Sequence, residues 1–288
     1  MTIKKYDYEV KIISSNVAWV KGGIIGPHWV KVGRLLEKGE SNPKTSKNAV
    51  KTYTLSLMPH KGIGFGNLCV FAVTCVDSCL NKTGQGPMPT VQRKRAARTV
   101  LFFLAREWFL GKLNRELDRI ERMNDETIGV RLNMLSDVLW EAYGVIDSHP
   151  NIYFYDYSKW PDRHGWIREN YYLTFSYDGQ NLESAMNVLE AGNNVAVVFY
   201  DSSPGPKCGR SAHKQTLPTQ WQGYPVFDGG ITDWRIDDNP QSICGLRLLA
   251  RTWADRDSAI ASGFAVENLD NQLVNEDSLE YWMGGVGV

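Results

Sequence analysis

The chain has 288 residues and a mass of 32.6 kDa, enough for one large α/β domain or two small ones. Its 32 basic and 32 acidic residues cancel, so overall charge steers it toward neither nucleic acid nor membrane. No stretch reaches the roughly 20 apolar residues of a membrane span, and MTIKKYDYEVKIISS lacks the apolar core and cleavage site of a secretory signal. Three of the five cysteines fall within eleven residues. That is not how a disulfide framework spreads its thiols, so the expected setting is a reducing cytosol.

Residues 1–50 read as short strands and turns, broken at Gly22-Gly23 and Gly26-Pro27 and closed by a polar loop at 37–47. Residues 51–58 (KTYTLSLM) read as a strand. After the cysteines and the Gly/Pro-rich stretch 84–89, one long helix is expected over 90–123. Its apolar residues recur at helical spacing (Val100, Leu101, Leu104, Trp108, Leu113, Leu117, Ile120), with Thr90 as its cap. Strands are then expected at 128–135, 151–158, 171–177, 194–200, 224–227 and 243–249, and helices at 136–147 and 181–191. Strands separated by helical patterns predict βαβ units and a parallel sheet. The expectation is an α/β fold, a full or partial (β/α) TIM-like barrel, in preference to an open doubly wound sheet. Residues 1–50 would form an N-terminal β-rich extension, 51–265 the barrel-like domain and 266–288 a tail.

In either fold, ligands bind at the carboxyl ends of the strands. The residues expected there are the cysteines, Ser136 with Asp137, Ser158 with Lys159, Ser176 with Asp178, Asp201, and Asp228 with Asp233 and Arg235. Cys69, Cys75 and Cys79 follow the spacing C-x5-C-x3-C. Three thiolates on one loop can hold a soft metal, or three irons of a 4Fe–4S cluster with the fourth iron open. A four-ligand zinc site needs one more donor, for which His60, Cys208 and Cys244 are candidates. The plain alternative is three small buried hydrophobes. Ser136 and Asp137 would equally serve as helix caps, and Lys159 either binds a phosphate or carboxylate or simply extends into solvent. Asp228, Asp233 and Arg235 suit a divalent cation, the hydroxyls of a ribose, or a salt-bridged turn. Arg93, Lys94, Arg95 and Arg98 form a basic run for phosphate backbones, or a solvated helix face. There is no HExxH zinc motif and no P-loop.

Several segments taken together carry a likeness. The cysteine loop, VRLNMLSDVLWEAY, FYDYSKWPDR, YLTFS, NVAVVFY and YPVFDGGITDWRIDD occur in an order that resembles a phage and prophage family labelled gene product 88, over roughly residues 40–265. The resemblance implies a phage-related protein, working in the host cytoplasm. The loop after the first barrel strand also resembles that of radical S-adenosylmethionine enzymes, although their usual spacing is C-x3-C-x2-C and Ser78 stands where an aromatic residue is usual. That second likeness implies an iron–sulfur enzyme using S-adenosylmethionine on a small or nucleotide-related substrate. The alternative is a zinc-containing, nucleic-acid-binding or replication-associated phage protein without catalysis.

Overall fold

The computed structural model describes residues 1–41, 45–123, 126–163, 168–202, 212 and 214–270. The chain divides into two compact units. The first comprises Met1–Ala72, Cys79–Thr174 and Ile231–Asp238; the second comprises Val73–Ser78, Phe175–Gly230 and the chain from Asn239 on.

In the first unit, β1 (Thr2–Lys5), β2 (Tyr8–Ser14), β3 (Val17–Gly22) and β4 (Gly26–Val32) form an antiparallel sheet in that order. Side chains alternate between its faces, as strand geometry requires. Tyr8, Val10, Ala18, Val20 and Val32 are buried in the core, which places Glu9, Lys11, Trp19, Lys21 and Lys31 on the opposite side. A second sheet runs β5 (Leu36–Lys38), β6 (Lys51–Leu55), then β7 (Ile128–Arg131), β8 (Tyr153–Ser158) and β9 (Tyr171–Ser176). Strands β6, β7 and β8 are parallel and β5 is antiparallel to β6. Helices α1 (Pro89–Leu104) and α2 (Arg106–Arg122) connect β6 to β7. They bury Ala96, Ala97, Val100, Leu101, Phe102, Phe109, Leu113 and Leu117 in the same core. Gly129 of β7 exists because Trp234 lies over it. A Cβ there would stand 2.5 Å from the Trp234 ring, so Gly129→Ala is expected to cost about 1–3 kcal/mol by overpacking, read as a lowered melting temperature.

In the second unit the last two residues of β9 pair with β10 (Val195–Tyr200), which follows α3 (Leu182–Glu190). Strands β11 (Gln220–Trp221), β12 (Tyr224–Asp228) and β13 (Ile243–Arg247) then line up in the order β11-β12-β13-β10. Helix α4 (Trp253–Ala261) opens with a capping box between Thr252 and Asp255 and leads into β14 (Ala265–Glu267). Strand β9 takes Val195 and Ala196 of β10, and β14 takes Val198–Tyr200 further along.

The expected full or partial (β/α) barrel is therefore replaced by mixed sheets beside a separate four-stranded antiparallel one. Strands β5 and β11 run antiparallel to their only neighbours in each strand order, and only four α-helices occur among the described residues. A barrel needs a helix after each strand. Between β7 and β8 the described chain has instead one short 3-10 turn, Trp140–Tyr143, where a helix over 136–147 was expected. The expected long helix is likewise two: Ala105, at φ −139° and ψ 51°, separates α1 from α2. No helix is long and apolar enough to cross a membrane among the described residues.

Candidate ligand site at the strand ends of the first unit

Parallel strands β6, β7 and β8 end on one edge, and the chain leaving each carries chemistry there. Asn133 and Asp137 follow β7, Lys159 follows β8, and Cys69 and Cys79 lie on the chain after β6. Asn133 is buried and organises the first of these turns. Its Oδ1 accepts from the Ser136 hydroxyl (3.0 Å), the Val138 N–H (2.9 Å) and the Trp140 indole N–H (3.1 Å). Ser136 and Asp137 thus cap no helix, because the chain turns back on Asn133 instead. The Asp137 carboxylate accepts from Ser158 Oγ (2.9 Å), the Lys159 N–H (2.7 Å) and Arg163 Nη1 (2.9 Å). Its backbone N–H donates to Leu68 O at 2.6 Å, and the Cys69 thiol donates to Leu135 O at 3.4 Å. The start of the cysteine loop hangs from the β7–β8 turn.

Arg163 ties this network to a second layer. It donates from Nε and Nη2 to the two oxygens of Glu141 (2.8 and 2.9 Å), and from Nη2 to Tyr171 OH (2.6 Å). Tyr171 OH in turn donates to Asp156 Oδ2 at 2.9 Å, while the Asn133 N–H donates to Asp156 Oδ1 at 2.7 Å. Burial opposes the Arg163 charge, but Tyr171, Glu141 and Asp137 more than offset that and raise its pKa. Burial raises Asp137, against the pull of Arg163 and the groups from Ser158 and Lys159. Asp156 is pushed up to about 7 by burial, against Arg131, the Asn133 N–H, Arg163 and Tyr171.

Cys79 lies on the chain between β6 and α1 and is partly buried. Burial pushes its thiol up, while the Asn81 backbone, Lys82, Lys159 and Arg95 pull it back. Arg95 is aimed by Asn81, to whose Oδ1 its Nη1 donates at 2.7 Å. The Cys69 sulfur accepts from the His60 N–H at 3.3 Å. Cys75 belongs to the second unit, where the neighbouring Thr74 hydroxyl donates to the Asp178 carbonyl. No group of three or more His, Cys, Asp or Glu stands ready to hold a metal among the described residues. Of the candidates for a fourth ligand, Cys244 is buried in β13 and Cys208 lies outside the described residues.

The remaining expected site residues fall elsewhere. Asp233 and Arg235 sit in the first unit as structural groups. Asp233 accepts from Arg131 at 2.8 Å and its N–H donates to Asn48 Oδ1 at 2.9 Å; Arg235 pairs with Asp238 at 3.2 Å. Both are buried, so the salt-bridged turn describes them better than a cation site. In the second unit Asp228 is held by a bidentate Arg247 (2.6 and 2.9 Å), Asp201 accepts from Thr216, and the Ser176 carbonyl accepts from Asn181. The basic run divides: Arg98 is buried on Glu37 at 2.7 Å and Arg95 is on Asn81, while Arg93 and Lys94 are exposed. Sequence reasoning passed over Asn133, Glu141, Asp156, Arg163 and Tyr171. Asp156 had left a signal, a lone acid inside the aromatic strand YFYDYS.

Neither a curated protein nor a solved structure matches the chain. The gene product 88 family matches residues 34–267, a span that includes part of each unit and every residue of the strand-end network. The chain belongs to the gene product 88 family of phage proteins.

Proposed function

We propose that the chain is a metalloprotein whose Cys69, Cys75 and Cys79 supply thiolates to an iron–sulfur cluster, beside a site for a small phosphate- or carboxylate-bearing ligand related to a nucleotide. The observation that carries this reading is the cationic setting of Cys79. The Lys82 N–H closes a turn on its carbonyl at 2.8 Å, Arg95 is held on Asn81 at 2.7 Å, and Lys159 leaves the neighbouring strand end, although burial outweighs these cations and keeps the thiol raised. Cations gain little from a neutral thiol. A metal-bound thiolate, or an anionic ligand beside it, answers them. The donor chemistry of three cysteine sulfurs fits a soft metal.

The thiols are not already gathered as a metal group, and the loop's only regular structure is two single 3-10 turns, Thr74–Val76 and Leu80–Lys82. On this reading metal uptake and loop ordering are one event. A 4Fe–4S cluster on three thiolates keeps one iron open, which supplies S-adenosylmethionine binding and one-electron reduction in enzymes built on such loops. The chain's own residues do the positioning. Asp137 fixes the backbone of Lys159 and so roots that ammonium at the strand end, where it would hold an anionic group. Asn133 and Arg163 keep Asp137 in place.

Reconstitution with iron and sulfide under anaerobic conditions tests the proposal. The expected product is brown, with a broad visible band, bound iron and bound sulfide, all lost in Cys75→Ala. A second reading, a zinc-organised nucleic-acid-binding protein without catalysis, draws on the exposed Arg93 and Lys94 at the start of α1. A colourless protein with stoichiometric zinc would favour it, and a protein that takes up neither metal would end both.

A further inference from the structure

The outer face of the N-terminal sheet collects a combination found nowhere else among the described strands. Pairing registers put Lys4 opposite Glu9, Thr2 opposite Lys11, Lys11 opposite Trp19 and Trp19 opposite Lys31. In-register neighbours share a face, and the core side of the same strands is taken by Tyr8, Val10, Ala18, Val20 and Val32. The solvent side therefore presents Lys4, Lys11, Lys21 and Lys31 with the indoles of Trp19 and Trp29. Both tryptophans are half-buried. The Lys11 and Lys21 ammoniums stand 4.4 and 4.6 Å from the centre of the Trp29 ring, which holds two flexible cations over the sheet. Glu9 is the one acid on this face, 3.1 Å from Lys21 and 3.9 Å from Lys11.

Residues 1–33 carry Lys4, Lys5, Lys11, Lys21 and Lys31 against Asp7 and Glu9, an excess of three positive charges in a chain that is neutral overall. This sheet also lies ahead of the residues shared with the gene product 88 family, so its face is not accounted for by whatever that family's common core does.

We propose that this face binds single-stranded nucleic acid. Spaced ammoniums track a phosphate backbone, and a half-exposed indole between two lysines offers a stacking surface to an unpaired base. Four strands about 4.8 Å apart make a face broader than a major groove of about 12 Å, which favours the single strand. The proposal is independent of the metal reading, since none of its residues belongs to the cysteine loop or the strand-end network.

Fluorescence anisotropy of labelled oligo(dT) and oligo(rU), with the full chain at low salt, tests it. Trp19→Ala is expected to weaken binding roughly tenfold through lost stacking. Lys11→Gln with Lys31→Gln should lower the slope of log affinity against log salt by about 1.4, two contacts at about 0.7 each. Glu9→Gln should tighten binding, a gain that damage to the fold would not give. Unchanged melting temperatures keep the comparison fair. Several results would overturn the proposal. They are absence of strand binding by the wild type, equal binding by the Trp19 and lysine variants, loss only in Arg93→Gln with Lys94→Gln, and capture by phosphatidylserine vesicles with no binding of either strand.

Discussion

Arg163→Leu is expected to destabilise the first unit by about 3–5 kcal/mol, the usual cost of removing one partner from a buried ionic cluster. The guanidinium is 1% exposed and serves Asp137, Glu141, Tyr171, Ser158 and the Val138 carbonyl at once. Leucine would leave two carboxylates, 9% and 2% exposed, without their counter-charge. Lysine should recover only part of the loss, because one ammonium cannot reproduce a planar fork of donors. Urea denaturation of the three proteins gives the answer. Curves that overlay within about 0.5 kcal/mol, the range of an ordinary surface change, would mean that the cluster does not hold the unit together. Because the Asp137 N–H also donates to the Leu68 carbonyl, the damage should reach Cys69, seen as faster alkylation of that thiol below the unfolding transition.

The second large effect is on pH dependence. Asp156 is fully buried and its folded pKa lies at about 7, raised from 3.8 by burial. A carboxyl raised on folding holds its proton more tightly in the folded state. Its contribution to stability is fully present below the unfolded pKa and is lost as pH rises toward the folded one. Stability should therefore fall between about pH 4 and pH 7 and level off above, at up to about 1.4 kcal/mol for each pH unit. Asp137 is shifted in the same direction and adds to the slope. Asp156→Asn removes the titrating group while keeping its shape, so its stability profile should be flatter across that window. Melting temperatures from pH 4 to pH 8 decide it. A wild type that gains stability across the window would show that Arg131, Arg163 and the two hydrogen bonds outweigh burial.

The regular elements were largely legible because they rest on local pattern. Apolar runs such as YYLTFS and NVAVVFY became β9 and β10 within a residue or two. The break at Ala105 was not legible, since neither glycine nor proline announces it and both halves keep a helical period. The barrel expectation failed for a related reason: the apolar spacing after β7 looks helical, but Asn133 captures the Ser136 hydroxyl and the Val138 N–H and turns the chain tightly. Side-chain capture of this kind leaves no periodic trace. At the site, Asp137 and Lys159 meet through the Lys159 backbone N–H. The arginine that completes their network lies in an irregular segment with no pattern to flag it. The DGGITDWR segment left both readings open, because acids near a glycine turn look the same whether they face a cation or a buried arginine.

That segment also bears on how the chain is made. Residues 231–238 belong to the first unit although most of the second precedes them, and Val73–Ser78 belong to the second although they fall early in the first. During synthesis Arg131 leaves the ribosome long before Asp233, its buried partner, and Gly129 waits as long for the indole that covers it. The first unit cannot finish folding while its own stretch of message is being read. Completion is deferred until most of the second has been translated, and a fragment ending near Thr174 is a half-charged intermediate rather than a domain.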